Sequence, residues 1–169
     1  MFKIRPATEA DIPVIIDIAE ATWWPTYSPI LTPEQIRFML TAIYSPEILR
    51  SQMQNGTQRF LVLLEEGKIE GFASFGPRAE HPGVNKIHKL YVLPANHRKG
   101  YGRALIDHIK TLSALEGAHK LDLNVNRNNA ARHFYEKIGF RIIREEDVPI
   151  GPFWMNDYVM QVDIARKIE

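Results

Sequence analysis

The sequence predicts a mixed α/β fold of the α+β kind, with a central sheet of about seven strands and helices on both faces. Three observations predict it. Stretches with a two-residue apolar period alternate along the chain with stretches of helical period. A Glu66-Gly67 pair between two strand-like runs reads as a tight hairpin. The 169 residues, 45% apolar and 24% charged, suit one globular domain over the whole chain that buries a core unaided.

Phe2 to Arg5 reads as a short first strand, apolar at 2 and 4. Thr8 reads as an N-cap, with Asp11 three residues on in a capping-box-like position. Ile12, Ile15, Ile16 and Ala19 follow at helical spacing. TWWPTYSPILTP (22–33) reads as a Pro- and aromatic-rich loop. Thr32-Pro33-Glu34 and Ser45-Pro46-Glu47 each restart a helix, with a hydroxyl cap and Pro in the first turn. The hairpin strands run Arg59 to Glu65 and Lys68 to Phe75, and residues 76–85 form a mobile-looking loop. Residues 86–93 make a strong strand, and about Gly100 to Glu116 a helix with Leu105, Ile109 and Leu112 on one face. KLDLNV (120–125) alternates like a strand. Asn128 to Ile138 is a short helix, apolar at Ala131, Phe134, Tyr135 and Ile138. Phe140 to Arg144 and roughly Trp154 to Ile164 are the last two strands.

Composition excludes several classes. Twenty-one Lys and Arg against twenty Asp and Glu leave a net charge of +1, so no broad nucleic-acid or anionic-membrane surface is expected. Without Cys there is no disulfide, thiolate-bound metal or thiol nucleophile, which fits a cytoplasmic protein. The N-terminal stretch does not resemble a signal peptide, and no apolar run has membrane-spanning length. The His residues lack paired ligand spacing, so no metal is expected.

The chemistry concentrates at LYVLPANHRKGYGRALIDHI (90–109), where a strand ends and a helix begins. Gly100 and Gly102 let backbone approach a ligand closely. A helix N-terminus offers spare N–H donors and partial positive charge. Arg98, Lys99 and Arg103 add cations, and a pyrophosphate is the natural guest. P-loop and dinucleotide fingerprints are incomplete here.

HRKGYG (97–102), preceded by LYVLP, resembles the [Q/R]-x-x-G-x-G/A signature of the GCN5-related N-acetyltransferase (GNAT) family. NRNNAARHFYEKIGF (126–140) is similar to that family's second hallmark, with Asn128, Ala131, Tyr135, Lys137, Gly139 and Phe140 in place. His97 departs from the Gln or Arg of the signature; as a neutral ring it can still donate one hydrogen bond. The resemblance implies a GNAT-like fold, acetyl-CoA as cofactor and a small-molecule amine as acceptor. It implies that Leu90, Tyr91 and Val92 lend backbone groups to the pantetheine arm and acetyl carbonyl, with an oxyanion donor freed by a strand irregularity there. It also implies that the amides from Arg98 through Lys99, Gly100, Tyr101 and Gly102 to Arg103 cradle the pyrophosphate, with Asn128 at the pantetheine. Tyr135 becomes the general acid for the leaving thiolate, although spacing alone reads it as a core aromatic. A homodimer is expected on the same ground.

The base is open. His88 shares a sheet face with Leu90 and titrates near neutrality; packing at a strand end is the other reading, and His81 and Glu80 are weaker candidates. Trp23, Trp24, Tyr27 and Trp154 are the aromatic residues expected to bind the acceptor, although the tryptophans also suit a core. The N-terminal arrangement is similar to a subgroup that includes PaiA-type polyamine acetyltransferases. A polyamine needs carboxylates, and Asp17, Glu20, Glu34 and Asp157 are on hand. Transfer to a peptide or protein amine, and a non-catalytic acyl-CoA-binding module, are the alternatives. The absence of Cys excludes an acetyl-cysteine intermediate and favours direct transfer.

Overall fold

Local capping accounts for most element boundaries. The computed structural model describes residues 1–164. Strand β1 is Phe2–Pro6, and a 3-10 turn at Glu9–Asp11 leads into α1, Ile12–Tyr27. Asp11 Oδ2 accepts from the Thr8 N–H at 2.8 Å and from Arg5 at 2.8 Å. That arginine holds the Asp11 carboxyl below its ordinary range. Helix α2 is Pro33–Tyr44, where Thr32 Oγ1 accepts from the Gln35 N–H at 3.2 Å. Helix α3 is Pro46–Asn55, where Ser45 Oγ accepts from the Ile48 N–H at 3.3 Å. Each carries Pro in its first turn, where the missing N–H costs nothing.

Strands β2 (Arg59–Glu65) and β3 (Lys68–Pro77) form the predicted hairpin. Glu66 and Gly67 both have positive φ, 50° and 80°, which matches the twist of the strands. Then come β4 (Val84–Val92), α4 (Tyr101–Leu115), β5 (Lys120–Asn126), α5 (Ala131–Lys137), β6 (Arg141–Ile150) and β7 (Phe153–Asp163). The seven strands form one mixed sheet in the order β1-β2-β3-β4-β5-β7-β6. Strand β4 pairs parallel with β5 from Val84↔Lys120 to Ile87↔Leu123, and both strands continue past the last pair.

The contacts gather into two units. The first holds Met1–Gly76 and His88–His108, and the second holds Pro77–Ile87 and the described chain from Ile109 onward. The core of the first includes Ile15, Ile36, Met39, Leu49, Leu63, Phe72 and Phe75, all fully buried. Leu121, Val159 and Met160 are fully buried in the second. No described helix is long and apolar enough to cross a membrane.

Three expectations need correction. Residues 22–27 are helical, not loop; α1 runs through Pro25 to Tyr27. Trp23 and Tyr27, one turn apart, bury their rings against each other at 4.5 Å, and Pro25 removes a bond only in the last turn. Helix α5 starts at Ala131, because the Asn126 and Asn129 side chains take the N–H groups of Asn128 and Ala131, both at 2.9 Å, and hold a turn there. The loop after β3 is tied down. Arg78 N–H donates to Val84 O at 2.9 Å, and the Arg78 side chain reaches Asp122 Oδ2 at 2.7 Å.

Candidate active site

The turn into α4 is built from backbone. Arg98 and Gly100 both adopt left-handed conformations, with φ of 77° and 80°. A Cβ on Gly100 would meet nothing within 4 Å, so glycine serves conformation here and not space. For Arg98 the same conformation costs about 1–2 kcal/mol, strain of the kind that gathers at functional turns. The first helical bond runs from the Ala104 N–H to Gly100 O at 3.0 Å. The N–H groups of Tyr101, Gly102 and Arg103 therefore lie in the first turn, where no intrahelical acceptor exists. Successive N–H groups in such a turn, backed by a helix dipole, make a concave anion site. The turn has the donor set a diphosphate needs.

Side chains brace this turn. The Tyr101 ring is buried edge-on to Phe2 at 5.6 Å, and its hydroxyl bonds to Glu65. That bond pushes the phenol up to about 12. Lys99 Nζ lies 3.7 Å from Glu65 and Arg103 4.0 Å from Asp107. His97 Nε2 donates to Val92 O at 3.0 Å, tying the turn to the end of β4. Of these residues, Tyr101 offers a ligand only its backbone.

Strand β4 presents alternating surfaces. Tyr91 joins an aromatic cluster with Phe72 at 5.9 Å, Trp23 at 6.3 Å and Tyr44 at 6.4 Å. Burial pushes the Tyr44 phenol up. Gly71 sits against β4, where a Cβ would lie 3.1 Å from Tyr91 O. Leu90, Tyr91 and Val92 are half-buried, and His88 is exposed. Lys89 is buried, with Nζ 2.6 Å from Gln58 Oε1 and 3.1 Å from Gln52 Oε1.

The aromatic residues expected to bind the acceptor separate. Trp23 and Tyr27 are 3% and 5% exposed and belong to the core of the first unit. Trp24 is half-buried, its indole N–H on Glu20 at 3.1 Å and Arg37 over its ring at 5.3 Å. Trp154 is 57% exposed, near the turn of the β6–β7 hairpin in the second unit. Asp17 and Glu34 are exposed. Tyr135 is half-buried on α5, between Phe134 at 5.4 Å and Phe140 at 5.8 Å, and is no core residue. Asn128 is exposed and Ala131 half-buried at the start of α5.

The second unit holds a polar network that composition and motifs do not reveal. Asp122 is buried and accepts from Arg78 Nε and Gln161 Nε2, each at 2.7 Å. Asn124 Nδ2 donates to both Glu146 and Asp157 at 3.2 Å, and Arg78 Nη2 reaches Asn124 Oδ1 at 3.4 Å. Burial raises the pKa of Asp157 and lowers that of Lys86. The one available signal was the alternation in KLDLNV, which puts Asp122 and Asn124 on one face of an otherwise apolar strand.

A family model described as an acetyltransferase (GNAT) domain matches residues 27–154. An uncharacterized N-acetyltransferase of Mycobacterium tuberculosis is 30% identical over 154 residues, covering 90% of this chain and 96% of that protein. A spermidine N(1)-acetyltransferase of Thermoplasma acidophilum is 27% identical, covering 83% of this chain and 88% of the relative. A crystal structure of PaiA N-acetyltransferase from Thermoplasma acidophilum with coenzyme A superposes with a TM-score of 0.82, at 25% identity, covering 96% and 99% of the two chains.

Proposed function

Because the chain belongs to the GCN5-related N-acetyltransferase family, we propose that it moves an acetyl group directly onto the primary amine of a small molecule, the whole chain acting as one catalytic domain. The chain is an N-acetyltransferase and acetyl-CoA is its acyl donor. The observation that carries the reading is the pair of left-handed residues, Arg98 and Gly100, opening onto the first turn of α4.

Acetyl-CoA, when bound, supplies an acetyl group activated as a thioester. The amides of Arg98 and of Gly100 to Arg103 hold its diphosphate, the Lys99 N–H being taken by Asn96 O at 3.3 Å, and His97 fixes the turn through Val92 O. The half-buried stretch Leu90, Tyr91 and Val92 supplies backbone groups for the pantetheine arm and an N–H for the developing oxyanion. Asn128, held by Asn126 at 2.9 Å, stands at the entry to α5 and contacts the pantetheine. Tyr135 Oη gives its proton to the leaving sulfur. His88 is exposed on β4 and takes the proton from the incoming ammonium, directly or through water.

The Thermoplasma acidophilum relative named a spermidine N(1)-acetyltransferase makes a polyamine one acceptor to test. The test is free-thiol release from acetyl-CoA with a panel of spermidine, amino acids, aminoglycosides and N-terminal peptides. Turnover with a small amine is expected. Tight CoA binding with no turnover of any amine would replace this reading by a non-catalytic acyl-CoA-binding module.

A further inference from the structure

In the second unit the strand registers put one set of polar side chains on a single sheet face. Lys86 lies opposite Asp122, Asp122 opposite Gln161, Asn126 opposite Asp157, and Asp157 opposite Glu146. Directly opposed residues point to the same side of a sheet, and Asn124 joins them two residues from Asp122.

Nearly every polar atom of this face is spoken for. Both Asp122 oxygens have donors, Arg78 and Gln161. Both ends of the Asn124 amide are used. Arg127 is committed to Asp157 O at 3.1 Å and Asp147 at 2.9 Å. Asp157 Oδ1 is an exception. Asp157 is 7% exposed, and this oxygen is buried with no donor among the described residues. An orphaned buried carboxylate oxygen is costly, and a ligand donor would relieve it. Lys86 stands within electrostatic reach of Asp157, Glu146 and Asp122, yet among the described residues its Nζ makes no ion pair. No three or more His, Asp or Glu converge as metal ligands among the described residues, so an ammonium suits the carboxylate pair better than a divalent ion does.

We propose that Asp157 and Glu146, bridged by Asn124, receive the ammonium group of the acceptor, and that Lys86 on the same face receives its carboxylate. The acceptor class is then an amino acid, not a polyamine. Lys86, which no ion pair holds among the described residues, gives this face a cation for the carboxylate of a zwitterion, a group that a polyamine lacks. The burial cost visible in both partners agrees with a ligand site, since each group is less comfortable alone than with a counter-charge.

This inference rests on the acetyltransferase reading, so its test runs each L-amino acid beside the amine lacking its carboxylate, L-leucine beside isoamylamine and L-phenylalanine beside phenethylamine, with spermidine as a third arm. CoA affinity by calorimetry is the control. Wild type is expected to prefer the amino acid by about tenfold or more in kcat/KM, the scale of one charged hydrogen bond. Lys86→Met should abolish that preference. Asp157→Asn should raise KM for the amino acid by about tenfold or more. Both variants should keep wild-type CoA affinity and melt no lower than wild type. Equal or better use of spermidine or of the bare amines by wild type overturns the proposal, as does an unchanged KM in Asp157→Asn. If CoA binds and no amine is acetylated, the acetyltransferase reading falls. Amino-acid binding that disappears in Asp157→Asn would then still support the proposal, and no amino-acid binding would overturn it.

Discussion

The turn at the start of α4 and the polar face of β5, β6 and β7 solve the problem of holding charge in opposite ways. The turn uses backbone: left-handed residues at Arg98 and Gly100 and the open first turn of a helix. Its side chains are mostly braces, such as Tyr101 on Glu65 and His97 on Val92 O. The polar face uses side chains delivered by separate strands and by Arg78 of the loop after β3. A backbone site tolerates side-chain change but not a change in φ. A side-chain network loses its balance when one member goes.

The largest effect should come from the network. In Arg78→Ala the buried Asp122 loses the guanidinium at 2.7 Å. Thermal or urea unfolding should show a loss of about 3–5 kcal/mol, the cost of stranding one partner of a buried pair. A loss under about 1 kcal/mol, the size of an exposed pair, would show that this face is solvated and the contrast overstated.

Tyr135→Phe comes next. Thiol-release kinetics should show kcat lower by about 100-fold or more, as loss of a general acid predicts, with CoA affinity unchanged. An unchanged kcat would remove Tyr135 from the chemistry.

The turn is tested by a contrasted pair. Gly100→Ala forces an L-residue to a φ of 80°. Calorimetry should find CoA binding weaker by about tenfold, in line with the cost of the left-handed region. Lys99→Ala removes a cation already shared with Glu65 at 3.7 Å, and should weaken binding only about threefold, as for an exposed charge. The reverse order would mean that side chains, not backbone, hold the diphosphate.

The smallest effect is a pH dependence. The Asp157 carboxyl titrates above its ordinary value of 3.8 in the folded chain. A carboxyl raised on folding costs nothing while it is protonated in both states. The cost grows as pH climbs through the folded pKa and is complete above it. Asp157→Asn should therefore melt above wild type at neutral pH, and the gap should close as pH falls below the ordinary carboxyl value. A gap that persists in acid would assign the gain to packing.

This contrast explains what was legible in the sequence. The β2–β3 hairpin followed from Glu66-Gly67, and α2 and α3 from Thr32-Pro33 and Ser45-Pro46, because those signals act within a few residues. The turn at 97–103 was legible for the same reason. Helical residues 22–27 were hidden by Pro25, since the burial of Trp23 and Tyr27 is decided by tertiary packing that no local signal reports. The polar face was hidden because its members are separated along the chain and converge only through strand register. Asp157 was one available carboxylate among several, and its orphaned oxygen is visible only once β5, β6 and β7 are paired.

The central claim is direct acetyl transfer from acetyl-CoA to a small amine, and initial velocities with both substrates varied test it most directly. Intersecting double-reciprocal lines are predicted, because both substrates must be bound together and the chain has no Cys to carry an acetyl group. Parallel lines, or thiol release independent of the amine, would contradict it.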